Sequence, residues 1–409
     1  MNDGNHHQVV ELAIPALPER SRDFWTPMLP QITATCLWPD IFAIPLLNGE
    51  DGPWRRYFPA ETPKHSFEKH GAAAREHFFD IRFYIAHLVT LLQQEDWENC
   101  CRCLGVFSHY LGDFSEQAHF YEDGITLLLP PPPDRINCNP HRMVEEVNST
   151  LAAIAHQPCV LGDTIDTIVM RLEGRLRELY ETSLASIIPI LSALYQRDAA
   201  AAERWKNPVV AGTAAVMADV LHTLWCLHAG VWSDDERKAL LSVRLDALEP
   251  AGYDVEFNYG FRPIRSAITL DQIGHAIPLQ LRFAGEIQAV EGLCLVPHAL
   301  PIAGTEYRSA VEFNLPPGAF NRFTSVVGLL AGFTPQARCR FTVETDGKTL
   351  YQSPEVSEEH AAIPIELDIT DRQRLCLVVH TDGSTDKLAF PIWGLPGLTG
   401  REVSSRIMR

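Results

Sequence analysis

Apolar residues recur at helical spacing through the first 231 residues and then give way to two-residue alternation. The helical pattern predicts helices over Phe67–Leu92, Trp97–Leu111, Cys159–Leu194 and Val210–Ala229. Asn139-Pro140 opens a further helix, with proline in its first turn. Pro130 to Pro133, followed by Asp134, predicts a rigid extended loop between two of these helices.

After Ser233 the pattern changes. Val255–Tyr259 and Leu279–Phe283 alternate as half-buried strands do. Further strands are predicted at Ala310–Leu315, Phe323–Leu330, Cys339–Glu344, Thr349–Gln352, Ile363–Ile369 and Arg374–His380. Pro316-Pro317-Gly318, Asp346-Gly347 and Asp382-Gly383 punctuate them, and Asp346-Gly347 is a strong hairpin signal. Short strands at this spacing predict a β-sandwich. The expected organisation is a helical domain over 1–231, a linker or strand-rich connector over 232–290, and a sandwich over 291–400.

Length and composition agree with more than one core: 409 residues, 46% of them hydrophobic. The formal charge of −18 argues against a broad surface for nucleic-acid backbones. Residues 1–30 are charged throughout and carry no signal-peptide apolar run, so a cytoplasmic location is expected. No run of 18 apolar residues predicts stable membrane insertion. The 10 cysteines, three of them at Cys100, Cys101 and Cys103, are read as reduced core thiols.

The candidate chemistry is concentrated between residues 109 and 145. His109 and Asp113 stand four apart on a predicted helix, so their side chains leave the same face. His141 and Glu145 repeat the spacing, and His119 lies between the pairs. Imidazole nitrogen with carboxylate oxygen suits zinc better than calcium or magnesium.

The run His109-Tyr110-Leu111-Gly112-Asp113, ending at His119, resembles the signature of the zinc-dependent phospholipase C and single-strand-specific nuclease family. That family has a proline where this chain has Gln117. Leu104-Gly105 upstream, His6 at the start of the first helix, Pro39-Asp40, and Trp205 with Val209–Trp225 extend the likeness over about residues 1–231. The resemblance implies an all-α domain holding two or three zinc ions. It implies the ligands His6, Asp40, His109, Asp113, His119, His141 and Glu145. Asp113 would bridge two ions, Asp40 would be both ligand and general base, and His119, His141 and Glu145 would form a separate, more exposed site.

Two family features have no counterpart. The N-terminal tryptophan is replaced by Met1, and the expected ligand histidine falls on Trp54-Arg55-Arg56-Tyr57-Phe58-Pro59, with His65 and His70 out of register.

The C-terminal run Phe320-Asn321-Arg322-Phe323, with Asp346-Gly347-Lys348, Leu350-Tyr351, Ser353, Asp386 and Trp393-Gly394, resembles the NPCBM domain, a carbohydrate-binding module, over about 295–398. The reading is therefore a multidomain α + β protein: a helical zinc phospholipase C/nuclease-like domain and a jelly-roll-like β-sandwich. Its expected activity is zinc-dependent phosphoester hydrolysis, with phospholipid favoured over nucleic acid as substrate and a glycan as partner of the sandwich. The alternative is a non-catalytic binding protein with a degraded metal site on the same helical scaffold.

Overall fold

The computed structural model describes residues 3–59, 74–116, 140–254, 268–270, 276–296, 307–333, 336–381 and 389–400. The chain forms two compact units, Met1–Glu236 and Arg237–Arg409.

The first unit is helical. Its α-helices among the described residues are α1 (Asp3–Ala13), α2 (Glu19–Trp25), α3 (Leu29–Thr33), α4 (Trp38–Leu47), α5 (Ala74–Gln93), α6 (Trp97–Ser115), α7 (Pro140–Glu145), α8 (Ile165–Tyr195) and α9 (Ala199–Ala229). A further helix, α10 (Asp234–Leu240), spans the sequence boundary between the units.

Helix α6 is the centre of the unit. From Cys103 to Ser115 every residue except Tyr110 is buried, so the amphipathic pattern gives way to a helix enclosed on all sides. Asp96 caps its start by accepting from the Asn99 amide at 3.3 Å. Gly105 lets α3 approach: a Cβ there would stand 2.0 Å from Thr35 Oγ1 and 2.3 Å from the Ile32 carbonyl oxygen.

Helix α9 is apolar and long enough to cross a membrane, but 78% of its apolar window is buried inside the protein. It packs against α1, α5, α6 and α8, as a core helix does.

Three helix boundaries differ from expectation, the first being α6, which runs past Leu111 to Ser115. Helix α8 starts at Ile165, because Thr164 and Thr167 form a capping box there. The preceding stretch from Cys159 is not helical. Helix α9 begins at Ala199 and carries Pro208 within it, with Asp198 as its cap.

The second unit is built from antiparallel strands: β1 (Ser242–Arg244), β2 (Gly252–Asp254), β3 (Ile268–Leu270), β4 (Ala276–Pro278), β5 (Gln280–Phe283), β6 (Glu286–Ala289), β7 (Gly292–Cys294), β8 (Tyr307–Asn314), β9 (Arg322–Leu329), β10 (Cys339–Thr345), β11 (Lys348–Gln352), β12 (Ile363–Asp368), β13 (Arg374–Thr381) and β14 (Pro391–Thr399). One sheet runs β1-β14-β9-β12 with β7 also on β14; the other runs β11-β10-β13-β8-β2. Two further hairpins are β3-β4 and β5-β6. Phe313, Phe323, Phe341 and Trp393 are fully buried, and Trp393 meets Phe341 edge-to-face at 5.3 Å. Trp393 is thus a core residue and cannot serve as a sugar-stacking platform on the surface.

The expected connector, 232–290, contributes β1 and β2 to the two sheets, so it belongs largely to the second unit. The hairpin at Asp346-Gly347 has φ of 49° and 77°, the paired positive values of a tight turn matched to strand twist. The predicted strand at Val255–Tyr259 and the turn at Asp382-Gly383, with Asp386, lie outside the described residues.

Candidate metal centre

Three segments far apart in sequence bring their donors together. Helix α1 buries one face, Asn5, His6, Val9, Val10 and Ala13, which carries His6 into the core. Helix α6 delivers His109 and Asp113 from one face, four residues apart. Helix α4 holds Asp40 in its first turn, after Pro39.

Asp113 is the hub. Its Oδ2 lies 3.0 Å from His109 Nε2, and its Oδ1 lies 3.4 Å from His6 Nε2. The two imidazoles stack at 3.9 Å with 7° between their planes. Asp40 Oδ1 stands 3.5 Å from His109 Nε2. His6, His109 and Asp113 are 0–5% exposed, whereas the Asp40 side chain is 54% exposed. Three donors are thus enclosed and the fourth stands towards water. The ligand-type atoms of His6, His109 and Asp113 all fall within 4.8 Å of one another.

The electrostatics follow from this enclosure. Burial, reinforced by the neighbouring His109, pushes the His6 imidazole down to about 3, so it is neutral. Burial also works against a charged His109, but the Asp113 and Asp40 carboxylates overcome it and raise the ring to about 9. Burial alone would raise Asp113, yet His109 and His6 hold it well below the usual carboxylate range. Asp40 is lowered too, because its contact with His109 outweighs its own burial.

This donor set fits a divalent cation. Neither ring nitrogen of His6 makes a well-aligned hydrogen bond, Nε2 meeting Asp113 Oδ1 only at 3.4 Å, and such poorly satisfied buried nitrogens cost free energy unless something else engages them. The two oxygens of Asp113 face different imidazoles, as a bridging carboxylate's would. His109 carries the one proton that a cation would displace.

The remaining predicted ligands are placed as follows. His141 Nε2 and Glu145 Oε1 pair at 3.2 Å on α7, with side chains 12% and 26% exposed. They are the more accessible pair. His119 lies outside the described residues, as do His65, His70 and the proline loop. Arg55 spends its guanidinium on the carbonyls of Phe58 (3.2 Å) and Pro59 (2.7 Å), and Arg56 donates to Asn99 Oδ1 at 2.9 Å. Both arginines thus have other partners.

Hydrogen bonds hold the helices in register around the centre. Asn5, next to His6, donates to the Val147 carbonyl at 2.9 Å and accepts from the Ser149 amide at 2.9 Å. Gln8 donates to the Leu151 carbonyl at 2.9 Å. Lys206 on α9 is fully buried, 2.5 Å from Glu116 Oε2 and 3.3 Å from the Val144 carbonyl of α7. One ammonium therefore ties the end of the helix bearing His109 and Asp113 to the helix bearing His141 and Glu145. Nothing in the sequence marks Lys206 as buried; only its neighbours in space reveal the role.

Residues 303–399 match the NPCBM/NEW2 domain family. No curated protein sequence matches the chain. Among solved structures, the alpha toxin of Clostridium absonum is 10% identical, covering 97% of this chain and 98% of that one, with a TM-score of 0.35. The alpha-toxin of an avian Clostridium perfringens strain is 10% identical, covering 95% and 98%, with a TM-score of 0.34. The CBM51 module of C. perfringens GH95, solved with methyl-galactose, is 20% identical, covering 39% of this chain and 99% of that one, with a TM-score of 0.28. Within the second unit, residues 303–399 form an NPCBM/NEW2 domain.

Proposed function

We propose that the helical unit is a zinc-dependent phosphoester hydrolase and that the sandwich tethers it to a glycan. The observation that carries this reading is the meeting of His6, His109 and Asp113 in one buried cluster, with half-exposed Asp40 at its edge. His6, Asp40, His109 and Asp113 would hold the buried metal, and His141 and Glu145 would hold a more exposed one. When bound, zinc polarises a phosphoryl oxygen and lowers the pKa of a bound water.

The chain's own residues prepare that chemistry. Neutral His6 offers a lone pair at physiological pH, and Asp113 is ionised. Buried surroundings strengthen both as ligands, because no water competes. Asp40 is ionised and solvent-facing, so it can accept a proton from an attacking water while remaining near His109. Phospholipid is favoured over nucleic acid, since a chain of charge −18 lacks the basic surface a polynucleotide needs. The NPCBM/NEW2 match supports the glycan tether.

The test is elemental analysis of the purified chain with a substrate panel. Two or three zinc equivalents are expected, with chelator-sensitive turnover of a chromogenic phosphodiester and of phosphatidylcholine above that of single-stranded DNA. A metal-free protein with no turnover would replace this reading with that of a non-catalytic binding protein.

A further inference from the structure

We propose that His222, Cys226 and Glu236 form a second kind of zinc site, at the C-terminal end of α9 and separate from the centre around Asp113. His222 and Cys226 stand one turn apart on α9, and Glu236 comes from α10. Their ligand-type atoms lie within 4.8 Å of one another. His222 Nε2 is 2.6 Å from Glu236 Oε1 and 3.8 Å from Cys226 Sγ.

The surroundings orient each donor. The Ser233 amide donates to Glu236 Oε2 at 2.6 Å, and the Glu236 amide donates to Ser233 Oγ at 3.2 Å. This reciprocal cap fixes the carboxylate and leaves Oε1 facing His222. On the far side of the ring, Ser21 Oγ donates to the Pro18 carbonyl at 3.0 Å, so its oxygen accepts from His222 Nδ1 at 3.3 Å. With Nδ1 engaged by Ser21, Nε2 is the nitrogen that faces the carboxylate, and it can present a lone pair there. Two lone pairs at that separation need a cation, either a second ring proton or a metal.

Cys226 decides between them. Its fully buried sulfur has no part in a histidine–glutamate ion pair but completes a nitrogen, sulfur and oxygen donor set. Soft sulfur disfavours calcium and magnesium, and three mixed protein ligands suit zinc. Ser21 is the outer partner that sets the histidine tautomer, as metal-bound histidines usually require. On binding, the Cys226 S–H proton passes to solvent as the zinc–sulfur bond forms, and the metal remains divalent.

The experiment is titration of the chelator-stripped, full-length protein with cobalt(II), which reports thiolate ligation by a charge-transfer absorption. The centre around Asp113 contains no cysteine, so the two sites are separable. The band is expected in the wild type and in Asp113→Asn, and is expected to vanish in Cys226→Ser, which should also bind one zinc fewer with its phosphodiester turnover unchanged. Glu236→Gln keeps the cysteine and should weaken the band at equal cobalt, which guards against a folding defect in Cys226→Ser. A wild type without the band, or a band that survives Cys226→Ser, overturns the assignment. Loss of turnover in Asp113→Asn with the band retained bears on the hydrolase reading alone.

Discussion

Asp113 shows how a single carboxylate organises the centre. It is buried, ionised and shared between two stacked imidazoles. Asp113→Asn keeps the volume and removes the charge. Elemental analysis of this variant should show loss of the buried zinc, while an ordinary surface carboxylate would shift stability by no more than about 0.5 kcal/mol. The metal-free pair also predicts a pH signature. His109 is raised from 6.5 to about 9, so its contribution is complete below 6.5 and is lost as pH climbs towards 9. His6 is lowered from 6.5 to about 3, so its contribution is complete above 6.5 and is lost as pH falls towards 3. The melting temperature of chelated protein should therefore peak near pH 6.5, and zinc should remove the decline on the alkaline side. A flat alkaline limb in the chelated protein would contradict the His109 environment. His109 and Asp113 were legible in sequence because four-residue spacing on a helix is local information. His6 and Asp40 were not, since only resemblance linked them to His109 and Asp113, far along the chain. The set of His222, Cys226 and Glu236 escaped because its third member crosses a turn into another helix.

At the level of elements, the centre depends on how closely other helices approach α6. Gly105→Ala would set a Cβ against backbone at Ile32 and the side chain of Thr35, and backbone yields poorly. Overpacking of this kind costs roughly 1–3 kcal/mol. Chemical denaturation should show that loss, together with weaker zinc retention. The Lys206–Glu116 pair makes a sharper case. Lys206→Met removes a buried charge partner of Glu116 and should cost up to about 3–5 kcal/mol, whereas Lys206→Met with Glu116→Leu should recover much of the loss. A double variant as unstable as the single one would mean that shape, and not charge pairing, is what the site requires. Element boundaries were legible where periodicity was clean: strands predicted at Phe323–Leu330 and Cys339–Glu344 are observed at Arg322–Leu329 and Cys339–Thr345. Strand β14 was missed. Proline and glycine disfavour strands, but Pro391 occupies the first strand position and Pro396 falls within the register shift between Gly394 and Gly397, beside Leu395 at φ 48°.

For the whole molecule, the separation into two units makes the metal's effect local. Each unit encloses its own core, one around α6 and α9 and one around Phe341 and Trp393. Among the described residues, both clusters of metal-type donors lie in the first unit. Calorimetry of the full chain should therefore resolve two unfolding transitions. Chelation should lower only the helical one, because zinc that binds the native state alone stabilises it by mass action, roughly 4 kcal/mol at a thousandfold excess over its dissociation constant. Adding zinc back should restore that transition and leave the sandwich transition where it was. Asp113→Asn in the presence of zinc should melt as the chelated wild type does, apart from whatever stabilisation the Cys226 site still supplies. If chelator moved both transitions together, or moved neither, the metal would not be a component of the helical core, and the buried histidine pair would require another explanation.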